Sequence, residues 1–415
     1  MTGKNIVSHM DIQKKQATVF PGEALSSRVR TPFTISYDAD IDMRELDLSI
    51  IMTPFLLNIV PLLWFLGGIW KIDCMDEDLY SSLNIVKEGF RKLYPQFPWS
   101  GELIPDHLTG RSIRESSSSY DQILFFSGGV DSTYSALKAD PSRTVLLTIR
   151  GHDIAIDNDK AWHEVLNQVH RFASSFHFNS TTVTANVFGL LRCGDIHKKH
   201  PELKPWYGMV QHGLGLAGLA FPLAAYNGMK KVLFSSSESI KAKRVCPFGS
   251  HYLLEPHLRV AGIEVISTGK EIFWPEKVAE MVDFFRNHPQ LKKPLFRVCL
   301  SDMKGDATYN CGKCEKCLRG IISLISQSED PSEWGFNLEG KPLETIPPLL
   351  RKIEIKDEHR NYWERIHALA IRGLVSSSVS EKAFLSWFSN WLEDMFISSP
   401  SSKDESSTTL YKITD

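Results

Sequence analysis

Residues 123–138 read ILFFSGGVDSTYSALK, an apolar run that passes through a hydroxyl, two glycines, an acid and a second hydroxyl into a segment of helical character. The order predicts a strand, a tight turn and a helix, and its chemistry is that of a cradle for a phosphate chain. Gly128 and Gly129 let backbone N–H groups approach an anion, Ser127 and Ser132 carry hydroxyl donors, and the helix N-terminus adds partial positive charge.

Working outward, Thr144–Ile149, Thr181–Val187 and Lys231–Phe234 read as further strands separated by helical patterns. Trp162, Leu166, Val169, Phe172 and Phe176 form one helical stripe, and Met209–Ala225 reads as a glycine-containing helix packed on the sheet. Alternating strand and helix predict an α/β fold, a parallel sheet with helices on both faces. Ligands of such sheets sit beyond the C-terminal strand ends. That rule gathers Ser127–Ser132, Arg150–Asp153 and Ser235–Glu238 around one site, with Ser236 and Glu238 as candidate substrate contacts. The turn-rich stretch Pro247–His251, followed by Glu255, reads as a substrate loop and adds His251 and Glu255. Lys241, Lys243 and Arg244 could neutralise phosphate charge, although a charge run is more often a solvated face. Lys277 opens a helix after Pro275, where the helix dipole disfavours a cation unless it faces an anion.

A second signal lies downstream. Cys299, Cys311, Cys314 and Cys317 bring together four thiolates separated by eleven, two and two residues. Zinc in a tetrahedral structural site takes four such sulfurs and leaves no position for water, so structural Zn²⁺ is predicted. An iron–sulfur cluster also accepts four cysteines. Cys74, Cys193 and Cys246 are scattered and read as ordinary thiols.

The 415 residues carry a formal net charge of -2, 42% hydrophobic and 23% charged residues. This balance argues against broad DNA or anionic-membrane binding and favours a small-molecule substrate. No apolar signal core opens the chain, and crowded cysteines suit a reducing compartment, so a cytoplasmic protein is expected. Ile50–Trp70 is apolar and uncharged over a span that could cross a bilayer, but Pro54, Asn58, Pro61, Gly67 and Gly68 interrupt it, which predicts buried strands and turns instead. Composition divides the chain into a flexible N-terminus, 1–30; an α+β accessory domain, 31–115; a catalytic α/β domain, 120–298; a zinc-binding element with its helix, 299–327; a C-terminal helical extension, 328–397; and a disordered tail, 398–415. Asp78–Tyr94, Arg360–Arg372 and Ser380–Ile397 are its clearest outlying helices.

The hexapeptide Ser127–Ser132 resembles the PP-loop of the ATP pyrophosphatase superfamily; the Gly-x-x-x-x-Gly-Lys-Ser/Thr motif of P-loop NTPases is absent. Together with the four cysteines it is similar to QueC, the 7-cyano-7-deazaguanine synthase family of queuosine biosynthesis, over roughly Gln122–Ser326. The resemblance implies an adenine nucleotide alpha hydrolase-like fold for 120–298. It implies ATP, bound with Mg²⁺ by Ser127, Gly128, Gly129, Val130, Asp131, Ser132 and Thr133, with Asp131, Ser132 and Lys277 in catalytic roles. The implied reaction is that of a ligase: ATP adenylates the carboxylate of 7-carboxy-7-deazaguanine, pyrophosphate leaves, and an amine takes the acyl group. The flanking 120 and 90 residues depart from QueC. The larger form resembles QueC-like proteins of bacterial anti-phage (antiviral) defence clusters, in which the acceptor is a partner-protein N-terminus rather than ammonia. A PP-loop tRNA-modifying enzyme and an inactive nucleotide-binding scaffold are the alternatives.

Overall fold

A computed structural model describes residues 3–110, 119–242, 247–299, 309–336, 338, 340–356, 359–375 and 377–398. The Glu115–Ser119 linker, Lys243, Arg244, Cys246 and the tail beyond Ser398 therefore lie wholly or largely outside the described residues.

Within the first thirty residues, expected to be flexible, three strands form: β1 (Lys4–Asn5), β2 (Val7–Ile12) and β3 (Gln16–Pro21). β2 and β3 pair antiparallel, and β3 pairs with β4 (Phe33–Tyr37). Half-buried strands carry polar residues at every second position. Here Ala17 and Val19 point inward between exposed or half-exposed neighbours, which is why the segment reads as polar.

Next comes α1 (Leu48–Leu66), a continuous helix in place of the expected strands and turns. Each interior proline costs about 3 kcal/mol. Against that, eleven large apolar side chains between Ile50 and Trp64 are buried, each contributing roughly 1.5–3 kcal/mol. Burial outweighs propensity. By length and composition α1 could cross a membrane, but 89% of its apolar window is enclosed by protein.

After α1 follow β5 (Ile69–Asp76), α2 (Glu77–Leu93) and β6 (Glu102–Thr109). β1, β5 and β6 form a small parallel sheet. Asp76 caps α2 by accepting from Leu79 N at 3.0 Å, and its same oxygen accepts from Ala261 N at 2.9 Å in the central domain. One apolar core runs from Ile6, Leu57 and Phe90 through to Val232 and Val265. The described residues of the expected accessory domain, 31–110, thus share this core with the central strands.

The central unit comprises β7 (Gln122–Phe125), α3 (Val130–Lys138), β8 (Thr144–Arg150), α4 (Asp159–Ser175), β9 (Asn179–Ala185), α5 (Gly194–Lys199), α6 (His212–Gly218), α7 (Phe221–Tyr226), β10 (Lys231–Ser235), β11 (Arg259–Val260), β12 (Ile263–Thr268) and α8 (Trp274–Asn287). The expected helix Met209–Ala225 is broken into a π turn, Tyr207–Gln211, then α6 and α7. β12, β10, β7, β8 and β9 run parallel in that spatial order, and β9 pairs antiparallel with β4, so the N-terminal strands extend the same nine-stranded sheet. Alternate residues face opposite sides: Ile123, Leu147 and Val232 join the core with α1, while Leu124, Leu146 and Leu233 join α4. Both faces are covered, as an α/β sheet requires.

The last described helices are α9 (Glu315–Ile325), α10 (Pro342–Leu350), α11 (Arg360–Gly373) and α12 (Val379–Ser398). They share a second core with α8, built on Phe285, Ile321, Trp334, Trp363 and Phe388.

Candidate functional site

From β7 the chain proceeds outward to β8 and β9, then returns to lay β10 and β12 on the other side. Strand order therefore reverses between β7 and β10, and a crevice opens beyond their C-terminal ends, where open α/β sheets bind ligands. The Ser127–Ser132 turn lies there. Gly128 takes φ +73°, a conformation open to glycine at little cost, and a Cβ would come within 2.9 Å of the Tyr309 hydroxyl. Arg297 N donates to Gly128 O at 2.8 Å. Ser132 Oγ donates to Gly129 O at 3.1 Å and accepts from Ser127 N at 3.3 Å, and Gly129 N donates to Ser127 Oγ at 3.3 Å. The turn is held by its own hydroxyls. Val130 packs in the core with α8 and α9 and also lines one of the cavities at the turn, and Thr133 is buried, its backbone N–H donating to Gly129 O.

Asp131 and Lys277, far apart in sequence, meet: Nζ lies 2.7 Å from Asp131 Oδ1, also donates to the Ser236 carbonyl, and sits 5.9 Å from the Tyr134 ring centre. Lys277 is fully buried and occupies the first turn of α8. The anion expected to face it is the carboxylate of Asp131.

Two cavities meet at the turn and share Ser127, Asp131, Asp153, Ser237 and Arg297. One, of about 240 Å³, adds Lys316, Arg319 and Tyr362 and has a cationic wall. Arg319 pairs with Glu315 at 3.0 Å and lies 4.4 Å from the Tyr362 ring centre, and Tyr362 donates to the Ser237 carbonyl at 3.3 Å. α11 thereby brings the C-terminal helices onto the crevice. The other cavity, of about 230 Å³, is walled by Phe126, Ile154, Val165 and Phe248 with His152, His212 and Ser235 among them. Apolar walls with a few polar groups suit a flat heterocycle.

In that second cavity His152 Nδ1 lies 2.8 Å from Asp153 Oδ1, and the His152 ring packs edge-on against Tyr207 and His212 at 5.1 and 4.9 Å. Burial alone would raise the Asp153 carboxyl, but the His152 imidazole, with Arg297 and His212 beyond it, holds it well below the usual carboxylate range. Burial and the neighbouring His152 push His212 down to about 3, so its ring is neutral.

The four candidate substrate residues separate. Ser236 turns its hydroxyl onto the Glu238 carbonyl at 2.7 Å. Glu238 lies beside the crevice, in a small pocket with Ser237, Trp274 and Tyr362, and burial pushes its carboxyl up to about 7. His251 and Glu255 do not line either cavity. Glu255 accepts from His251 N at 2.9 Å and Ser250 Oγ at 2.8 Å, which holds the loop that presents Phe248 and Ser250 to the cavity. Burial pushes the Glu255 carboxyl up to about 7, against the pull of these hydrogen bonds, and lowers His251 to about 4.

The four cysteines converge: one ligand atom from each of Cys299, Cys311, Cys314 and Cys317 lies within 4.8 Å of the others. Cys299 and Cys314 sulfurs are 3.7 Å apart and those of Cys311 and Cys317 3.9 Å. A tetrahedral ion with bonds of ~2.3 Å requires sulfur separations of about 3.8 Å. The cluster could hold a metal such as zinc. Cys314 occupies the N-cap position of α9 and Cys317 lies in its first turn, so the cluster sits at the start of the helix that carries Lys316 and Arg319.

No protein-family model, characterised protein or solved structure matches this chain.

Arg297, His212, Lys316, Arg319 and Tyr362 were not singled out by sequence. Lys316 and Arg319 share α9, while Arg297, His212 and Tyr362 come from three other parts of the chain, with no spacing that ties any of them to the turn. The strand-end rule did point to the segments holding His152, Asp153, Ser235 and Ser237.

Proposed function

We propose that this protein is a PP-loop enzyme that uses ATP, taken with Mg²⁺, to adenylate a carboxylate on a flat deazapurine-like heterocycle and passes the acyl group to an amine. The observation that carries the reading is the Ser127–Ser132 turn at the β7/β10 reversal, with a cationic cavity on one side and an apolar, imidazole-bearing cavity on the other. The cationic cavity suits a departing pyrophosphate, whose charge is stabilised by Arg297, Lys316, Arg319 and the backbone donors of the turn. The second cavity suits the heterocycle. No protein nucleophile is needed, because holding the carboxylate in line with the α-phosphorus and stabilising the leaving group supply most of the acceleration.

Zinc on Cys299, Cys311, Cys314 and Cys317 has a structural role in this reading, since four thiolates leave no position for water. The acceptor is ammonia or the N-terminal amine of a partner protein. Pyrophosphate release with 7-carboxy-7-deazaguanine, with and without ammonium, tests the proposal. Release that depends on the acid supports it, and ATP turnover indifferent to the acid overturns it.

A further inference from the structure

Within the heterocycle cavity, one pair of residues is arranged for a task that adenylation does not use. His152 is 6% exposed, its Nδ1 faces the Asp153 carboxylate at 2.8 Å, and its Nε2 is buried with no hydrogen-bond partner among the described residues. A carboxylate on one imidazole nitrogen fixes the tautomer, leaves the other nitrogen as the acceptor, and stabilises the imidazolium that forms when a proton arrives. The ring is also braced. Tyr207 from the π turn and His212 from α6 contact it edge-on, and Arg297 lies 4.0 Å from the far oxygen of Asp153. Leaving a buried polar atom unpaired costs free energy, which calls for an explanation.

We infer that His152, oriented by Asp153, is the general base of the second half-reaction, taking a proton from the amine that attacks the acyl-adenylate. The inference rests on the adenylation reading above. Adenylation itself involves a carboxylate that is already deprotonated, so it has no use for a base. Amine transfer does: the nitrogen–carbon bond forms, the carbon–oxygen bond to AMP breaks with its electron pair leaving on the AMP phosphate, and one nitrogen-borne proton goes to His152 Nε2 and then to solvent. His152 shares a cavity with Ser127, Asp131 and Ser132, so the base and the phosphate turn face the same chamber. The charged and titratable groups around it are Asp153 on its own loop, His212 from α6, Tyr207 from the π turn and Arg297, with Lys316 acting on His212. His212 is held neutral and does not compete for the proton.

The test uses the full chain, 7-carboxy-7-deazaguanine, ATP and two acceptors: ammonium, which must lose a proton to attack, and hydroxylamine, whose nitrogen is unprotonated at neutral pH and traps acyl-adenylates without help. His152→Gln and Asp153→Asn, both close in volume to the native residues, should lower amide formation about 10²-fold relative to the hydroxamate. Imidazole added to His152→Gly should restore part of the lost amide rate. The inference is overturned when amide and hydroxamate fall together, or when the amide rate is unchanged. If the unaltered protein forms neither product, the adenylation reading itself fails.

Discussion

Lys277 Nζ lies 2.7 Å from Asp131 Oδ1, and it does so from complete burial. The contact ties the first turn of α8 to the first turn of α3, so the acid of the turn is oriented by a residue 146 positions away. Removing one partner of a buried ion pair leaves an uncompensated charge and costs about 3–5 kcal/mol. Lys277→Met should therefore lose stability on that scale in urea unfolding, and Lys277→Met combined with Asp131→Asn should recover part of it. A single-variant loss below about 1 kcal/mol would show the pair to be incidental.

Gly215 in α6 approaches Asn58 in α1 so closely that an added Cβ would lie 2.4 Å from Asn58 Oδ1. Asn58 itself is satisfied by the Pro54 carbonyl at 2.8 Å and by Gln211 Nε2 at 2.7 Å, so it cannot turn aside without losing partners. Gly215→Ala is expected to cost about 1–3 kcal/mol in thermal or denaturant unfolding. A neutral outcome would place α1 and α6 farther apart than described.

The cysteine cluster makes a two-part prediction. The purified protein should carry one zinc per chain by elemental analysis, and Cys311→Ser should lower that content. Because the cluster sits at the start of α9, which bears Lys316 and Arg319, metal loss should also weaken pyrophosphate binding measured by calorimetry. Unchanged binding in metal-free, folded protein would separate the two sites.

Glu255 imposes a pH dependence. Its carboxyl is raised in the folded state from 4.5 to about 7, chiefly by burial. The folded state thus holds the proton more tightly than the unfolded chain, and the stability linked to it is complete below 4.5 and lost as pH rises through about 7. Glu255→Gln should flatten the fall in Tm between these values. Should the slope persist in that variant, Glu238, whose carboxyl is also raised to about 7, becomes the source.

Lys316→Ala should raise the KM for ATP several-fold while leaving Tm within a degree or two of the unaltered protein, since Lys316 lies on the cationic wall of the crevice and outside the apolar core. A fall in Tm without a change in KM would assign it to the fold instead.

The amino-acid sequence by itself determined the local chemistry: the Ser127–Ser132 turn, the strand before it, the three strands after it and the clustered cysteines are each legible because their residues are contiguous or regularly spaced. Tertiary structure decided the rest. α1 forms through two prolines because burial outweighs propensity, and the N-terminal strands join the central sheet although their sequence looks merely polar. His251 and Glu255 brace a loop rather than line the two cavities, while Arg297, His212, Tyr362 and the α9 pair Lys316 and Arg319 reach the crevice from distant parts of the chain. Contacts of that kind depend on chain path and close packing, which no short pattern encodes.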